Sequence, residues 1–305
     1  MARPDPLNVR RVACVGTGTI GGGWAAYFLS RGMDVMATDP GTDAEAKLRD
    51  LIERAWPSLE KQGLSAGASC DRLTFTSDLD EAVGDAEFVQ ESAPDWEDLK
   101  IEMFEKIGAA AQDDVVIASS SSEFLPSRIA VNCAQPERCI IGHPFAPSYL
   151  IPLVEVVGGE KTSDQVMDWS MAFYDGIGKK AMRLKKEIEY YVANRLQFAV
   201  FEEMDHLVKE GICDYADVDI AMRYGPGLRW AFAGPLLCLH MGGGQGGLRG
   251  FIDHFGWTGS EGTGDVALSE VEALYGDLSM SEVEAWRDAN LLAMKETVKM
   301  EPVKG

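Results

Sequence analysis

The chain has 305 residues, room for about two domains of ~100–200 residues each. With 46% apolar and 25% charged residues it can bury an ordinary globular core, which excludes a disordered or fibrous polymer. A formal charge of −21 repels a phosphate backbone and so excludes nucleic acid as a partner, while leaving room for small anions held by local backbone dipoles.

Residues 1–11 contain no apolar core of signal-peptide length, and no run reaches the ~18 apolar residues of a bilayer span. A cytoplasmic protein with no membrane partner is expected. The cysteines (Cys14, Cys70, Cys133, Cys139, Cys213, Cys238) are scattered without a C-x-x-C pair and are expected as reduced thiols. With four histidines and no His/Cys cluster, no metal site is expected.

In chain order, the apolar run Arg11 to Val15 predicts a buried parallel strand. Gly16-Thr17-Gly18-Thr19-Ile20-Gly21 follows, then a helical stretch closed by Gly32, then a strand from Asp34 to Asp39. This is a βαβ unit. Residues 44–63 have helical spacing, with Pro57 expected to kink or break the helix, and read as an excursion from the sheet. Strand-like runs recur at 72–76, 87–92, 115–119, 139–145 and 153–157, with helical stretches at 97–111 and 126–131. Such alternation predicts an α/β fold, a Rossmann-like doubly wound sheet. After Lys186 the pattern becomes helical, over 188–210 and 216–254, broken at 224–227 and 242–247. An all-α C-terminal domain is therefore expected, the domains being 1–186 and 187–305. Ser281-Glu282-Val283-Glu284 predicts a capped terminal helix.

A G-x-G-x-x-G string is weak alone, but here it leaves a strand and opens a helix. Gly16 permits the tight turn, Gly18 admits a pyrophosphate to the backbone, and Gly21 lets helix and strand pack closely. Thr19, Ile20 and Gly21 then present N–H groups at the helix start, where the macrodipole favours an anion. Asp39, 18 residues after Gly21, is placed to accept ribose hydroxyls and to repel a 2′-phosphate, with no basic residue before Lys47. The expected cofactor is NAD.

Oxidising an alcohol requires a base for the hydroxyl proton. His143, the lone histidine of the α/β half, ends an apolar run and so sits at the C-terminal end of a strand, where ligands of open sheets bind. Glu155 falls in the next apolar run and needs a partner. An imidazole would supply one, and the carboxylate would orient the ring. A structural histidine and a solvent-facing glutamate is the alternative. The run Ser119–Ser122 invites a hydrolase reading, which is set aside because no G-x-S-x-G elbow is expected anywhere in the chain, and Ser119 and Ser120 read as turn formers.

The glycine motif with Asp39, the serine run, His143-Pro144-Phe145 with Glu155, and Asn194-Arg195 together resemble the 3-hydroxyacyl-CoA dehydrogenase family, over nearly the whole chain to about residue 256. Ala55-Trp56-Pro57, Gln90–Pro94, Pro152–Gly159 and Tyr224–Trp230 are similar to the branch acting on free hydroxy acids rather than thioesters. The resemblance implies oxidation of a 3-hydroxyl, first of L-carnitine, with L-gulonate as the competing substrate. It implies His143 as general base oriented by Glu155, Ser122 and Asn194 on the reacting oxygen, and Ser92, Asp95, Lys100 and Ser122 toward the nicotinamide. It also implies a homodimer built through the helical domain. A non-catalytic nucleotide binder is the reading from another class.

A quaternary ammonium is held by aromatic faces, for which Phe145, Tyr190, Tyr191 and Trp230 are candidates. Arg229 or Arg195 could hold a substrate carboxylate, though pairing with a protein acid is the stronger expectation for Arg195. Two departures stand out. Ala146 replaces the family's asparagine after Phe145, which predicts altered nicotinamide positioning or a different substrate. Glu189-Tyr190 replaces its Pro-Gly, which brings a bulky phenol near the substrate.

Overall fold

Short runs, most of them apolar and ended by glycine, serine or an acid, build one eight-stranded sheet. The computed structural model describes residues 4–256 and 263–297, so Trp257 and the last residues of the tail lie outside the described residues. Two compact units divide between Phe198 and Ala199. The first runs β1 (Arg11–Val15), α1 (Thr19–Ser30), β2 (Asp34–Thr38), α2 (Ala44–Gln62), β3 (Leu73–Thr76), α3 (Leu79–Gly84), β4 (Phe88–Glu91), α4 (Glu97–Ala110), β5 (Val116–Ser119), α5 (Pro126–Ile129), β6 (Cys139–Pro144), β7 (Leu153–Gly158), α6 (Asp164–Gly176) and β8 (Lys180–Arg183).

The strand order is β3-β2-β1-β4-β5-β6-β7-β8. Neighbours from β3 to β6 run parallel, β7 is antiparallel to β6, and β8 is parallel to β7. Chain order reverses between β1 and β4, which opens a crevice at their carboxyl ends. Both faces are covered. Trp24 and Phe28 of α1, with Phe88, Phe173 and Tyr174, form the core of one face. Phe104, Ile107 and Ile129 pack with Val89, Ile117 and Ile141 on the other.

Three expectations are corrected here. α2 runs unbroken through Pro57, because Leu48, Ile52, Ala55 and Leu59, on both sides of the proline, are buried along one face. It is the β2–β3 crossover, packed on α1 at Gly22, rather than an excursion. The string Gly63-Leu64-Ser65-Ala66-Gly67 does match G-x-S-x-G, but it lies in the loop after α2 and not on a strand-to-helix turn. Also, α6 and β8, which the apolar pattern did not single out, extend the sheet beyond β7.

Helix α7 (Ala193–Lys209) begins five residues later than residue 188, because Tyr190 and Tyr191 adopt left-handed φ of 62° and 53°. The C-terminal unit continues with α8 (Tyr215–Tyr224), α9 (Pro226–Trp230), α10 (Gly234–Gly242), α11 (Gly247–Phe255), α12 (Thr263–Tyr275) and α13 (Met280–Thr297). Breaks fall at the expected glycine stretches 224–227 and 242–247, and a further one, inside a stretch expected to be helical, separates α9 from α10 at residues 231–233. Its small core gathers Ala233, Leu237, Cys238 and Val283. The cap of α13 is Ser279 rather than Ser281: Ser279 N donates to Glu282 Oε2 at 2.8 Å while Glu282 N donates to Ser279 Oγ at 3.3 Å. Among the described residues no helix is long and apolar enough to cross a membrane.

The loop of residues 145–152 joins β6 to β7 and is held from both sides. Ser148 Oγ donates to Ile20 O at 3.1 Å, at the start of α1. Lys179 Nζ donates to the carbonyls of Ser148 and Ile151 and lies 3.9 Å from the Tyr27 ring centroid. Burial, with the Arg31 charge adding, pushes the Lys179 ammonium down to about 7. An unfolded lysine titrates near about 10.4. Between those values the unfolded chain binds a proton that the folded chain has released. Stability therefore falls as the pH drops from about 10 to about 7, and levels off below that. Lys179→Met is expected to remove this slope. Urea unfolding should show the wild type losing stability relative to the variant across the window, and a constant difference would mean that Lys179 titrates normally.

Candidate active site

The crevice at the ends of β1 and β4 is about 930 Å³, bordered by Gly16, Gly18, Asp39, Ser92, Asp95 and Ser120 among others. That is the size of a cofactor or ligand cleft. Gly16 has φ of 86°, and a Cβ there would lie 2.7 Å from the Ser92 carbonyl carbon, so the turns after β1 and β4 touch only because this residue is glycine. Gly18 is the N-cap of α1 and has no side chain to cap it. A Cβ on Gly18 would meet nothing within 4 Å, so the space above it is open. The N–H groups of Thr19, Ile20 and Gly21 have no acceptor within the helix. Asp39, just past β2, uses Oδ2 to accept from Thr17 N at 2.7 Å and Oδ1 to accept from Gly41 N at 2.8 Å, which holds its carboxylate at the cleft wall.

The opposite wall rests on buried polar groups. Glu91, at the end of β4, is 0% exposed and Lys100 on α4 is 1% exposed. Lys100 Nζ donates to Glu91 Oε1 at 2.9 Å and to Ala93 O at 2.7 Å, and lies 3.4 Å from Asp95 Oδ1. Its N–H donors are thus committed to the 91–95 turn. Ser119 Oγ donates to Glu91 Oε2 at 2.6 Å, and Ser120 Oγ meets Ser92 Oγ at 2.8 Å and accepts from Gln90 Nε2 at 2.9 Å. Ser119 Oγ also accepts from Ser121 N at 3.1 Å, the turn bond expected of it, so Ser119 is both a turn former and, with Ser120, a member of this network. Gln90-Glu91, a polar pair inside the strand-like run 87–92, was the sequence signal for it.

His143 and Glu155 are direct cross-strand neighbours in the antiparallel β6–β7 register. His143 Nδ1 lies 2.8 Å from Glu155 Oε2, with His143 at 4% exposure and Glu155 at 0%. Glu155 Oε1 accepts from the N–H groups of Val192 and Ala193, at 2.9 and 3.0 Å, at the start of α7. Two rings flank the imidazole, Phe145 at 5.3 Å and Tyr191 at 5.2 Å between centroids. Nε2 has no hydrogen-bond partner among the described residues, so it is the free edge of the ring. The next residues of the site connect to this pair. Asn194, one residue into α7, has Nδ2 3.4 Å from Ser122 O, and Ser122 N and Oγ donate to Asp95 Oδ2 at 3.2 and 3.0 Å.

Among the aromatic candidates, Tyr191 is fully buried and its phenol donates to Phe124 O at 2.7 Å. Tyr190 is half-buried and donates to Glu123 Oε1 at 2.9 Å. Both clamp the loop after β5. Trp230 and Arg229 stand on α9 of the C-terminal unit, with Trp230 exposed by 38%. Arg195, expected to pair with an acid, is exposed and makes no ion pair among the described residues. Ala146 is exposed in the loop of residues 145–152. Glu123 was not among the residues singled out from sequence, and no motif marked it.

Known proteins resemble the chain over both of its parts. Residues 11–188 match the family model described as 3-hydroxyacyl-CoA dehydrogenase, NAD binding domain, and residues 191–275 match its C-terminal domain. The chain is 51% identical over 252 residues to an L-carnitine dehydrogenase of Streptomyces coelicolor, covering 83% of this chain and 79% of that one. It is 45% identical over 310 residues to an L-carnitine dehydrogenase of Nocardiopsis dassonvillei, covering 98% and 94%. Among solved structures, 5-formyl-3-hydroxy-2-methylpyridine 4-carboxylic acid 5-dehydrogenase, described as an NAD+-dependent dismutase, superposes with a TM-score of 0.74 at 25% identity, covering 94% of this chain and 96% of that one. With both family models matched in sequence order and near-half identity sustained over most of its length, the chain belongs to the 3-hydroxyacyl-CoA dehydrogenase family.

Proposed function

We propose that this protein oxidises the 3-hydroxyl of L-carnitine to the ketone, 3-dehydrocarnitine, with NAD as cofactor. It works in the cytoplasm as a homodimer, with residues 1–186 holding the cofactor and 187–305 serving substrate binding and dimerisation. The observation that carries the chemistry is the buried His143–Glu155 pair at the carboxyl end of β6. The relatives named above favour carnitine over gulonate.

The cleft fits a dinucleotide. The open space at Gly18 and the unspent N–H donors of α1 suit a diphosphate, and Asp39 suits a ribose diol while disfavouring a 2′-phosphate. NAD, when bound, supplies the acceptor for the hydride that leaves carbon 3. The protein's residues manage the proton and the oxygen. Glu155 takes the Nδ1–H of His143, which leaves the Nε2 lone pair to accept the hydroxyl proton. The charge that develops on the ring is balanced by the same carboxylate. The Ser122 hydroxyl and the Asn194 amide hold the substrate oxygen as it becomes a carbonyl. Arg195, beside Asn194 and without an acidic partner among the described residues, suits the substrate carboxylate.

Support for the dimer comes from α7, which has no buried residue and leaves Leu196 and Phe201 exposed by 61% and 48%. Such a face is expected against a second copy. Light scattering that gave the mass of one chain would remove the dimer.

His143→Gln is expected to lower kcat by ~10²–10⁴ while leaving NAD affinity unchanged. Stopped-flow turnover and an NAD titration check both, and near-normal turnover would take His143 out of the mechanism. Asp39→Ala is expected to raise kcat/KM with NADP relative to NAD, and an unchanged ratio would deny Asp39 its ribose role.

A further inference from the structure

Glu123 directly follows Ser122, one of the groups assigned to the reacting oxygen. Its Oε1 accepts the Tyr190 phenol at 2.9 Å, and the Tyr190 ring stands edge-on to Phe198, with centroids 5.3 Å apart. Glu123 and Tyr190 are half-buried, and Phe198 is exposed by 40%. Among the described residues no lysine, arginine or histidine pairs with Glu123. The result is a carboxylate with no ion-pair partner among the described residues, bonded by the hydroxyl of one aromatic side chain whose ring packs against a second.

The backbone adds an independent observation. Tyr190 adopts φ of 62°, a conformation that glycine takes freely and that costs a tyrosine energy. An observed outlier of this kind points to a function for the side chain held there. Here that side chain is aimed at Glu123.

A negative charge with aromatic faces and few spare hydrogen-bond donors recognises a cation that donates no hydrogen bonds, which is a quaternary ammonium. In carnitine the ammonium nitrogen is joined to the carbinol carbon through a single methylene. It must therefore lie within a side chain's reach of the groups holding the reacting oxygen, and Glu123 is adjacent to one of them. We propose that Glu123, with Tyr190 and Phe198, forms the seat of the substrate's quaternary ammonium group and sets the preference for a cationic hydroxy acid. This rests on the carnitine reading and adds the counter-charge to it.

The test compares L-carnitine with its uncharged carbon isostere, 3-hydroxy-5,5-dimethylhexanoate, in the wild type, Glu123→Gln and Tyr190→Gly. In Glu123→Gln the KM for carnitine should rise about tenfold or more, and the preference for carnitine over the isostere, read as a ratio of kcat/KM, should fall in step. Tyr190→Gly should shift the same ratio without lowering the melting temperature, because glycine suits the left-handed position. A ratio unchanged in both variants would overturn the proposal. A second arm reads the seat without turnover, by calorimetric titration of tetramethylammonium into the NAD-loaded proteins. Binding to the wild type that is lost in Glu123→Gln supports the seat, whereas equal heats in both sink it. A wild type that binds tetramethylammonium yet makes no NADH from carnitine would sink the substrate reading and leave the seat standing.

Discussion

The site depends on one buried carboxylate that ties three pieces of chain together. Glu155 faces His143 across the β6–β7 ladder with one oxygen and accepts the first N–H groups of α7 with the other. A negative charge at a helix N-terminus satisfies donors that the helix itself cannot, and the macrodipole favours it there. Both oxygens are thereby occupied, so the imidazole orientation and the starting point of α7 are set by the same group. Asn194 is carried on that first turn, two residues beyond Val192. A shift of Glu155 would move the base and the amide assigned to the substrate oxygen together.

The second buried pair does a different job. Lys100 and Glu91 are both sealed from solvent, and desolvation consumes much of what their attraction returns, so the pair is weak evidence for stability. Its consequence is shape. Lys100 holds the Ala93 carbonyl as well as Glu91, and Glu91 in turn holds Ser119 and the Ala93 N–H. The turn after β4 is thus tied to the end of β5. That turn carries Ser92, against which Gly16 packs, and Asp95, which receives Ser122. An apolar replacement could preserve the fold and still loosen the cleft wall.

Much of this was legible in the residues. The glycine string announced itself by its place between a strand and a helix, and His143 by ending an apolar run. Glu155 was marked by being an acid among valines. What pattern alone does not carry is register. The eight residues between β6 and β7 are too few for a parallel crossover and so imply an antiparallel neighbour, but only the register makes His143 and Glu155 opposite partners. Local rules also yielded to packing: Pro57 sits inside α2 because the buried residues on either side hold the helix together. The late start of α7 was hidden for a different reason. Nothing in Tyr190-Tyr191 reads as left-handed, since tyrosine is a residue that turn statistics place elsewhere.

That pair also shows how local strain is offset. Each left-handed tyrosine costs about 1–2 kcal/mol. The Tyr190 phenol donates to the Glu123 carboxylate, and the Tyr191 phenol, in the core, donates to the Phe124 carbonyl. Each bond returns part of that cost. The bonds go to two successive residues of one loop, the loop that carries Ser122, while the tyrosines themselves lead directly into Asn194. Tyrosine rather than glycine at position 190 thus makes a clamp between the two segments assigned to the substrate oxygen. It also leaves a phenol beside a carboxylate where the family's glycine would leave open space.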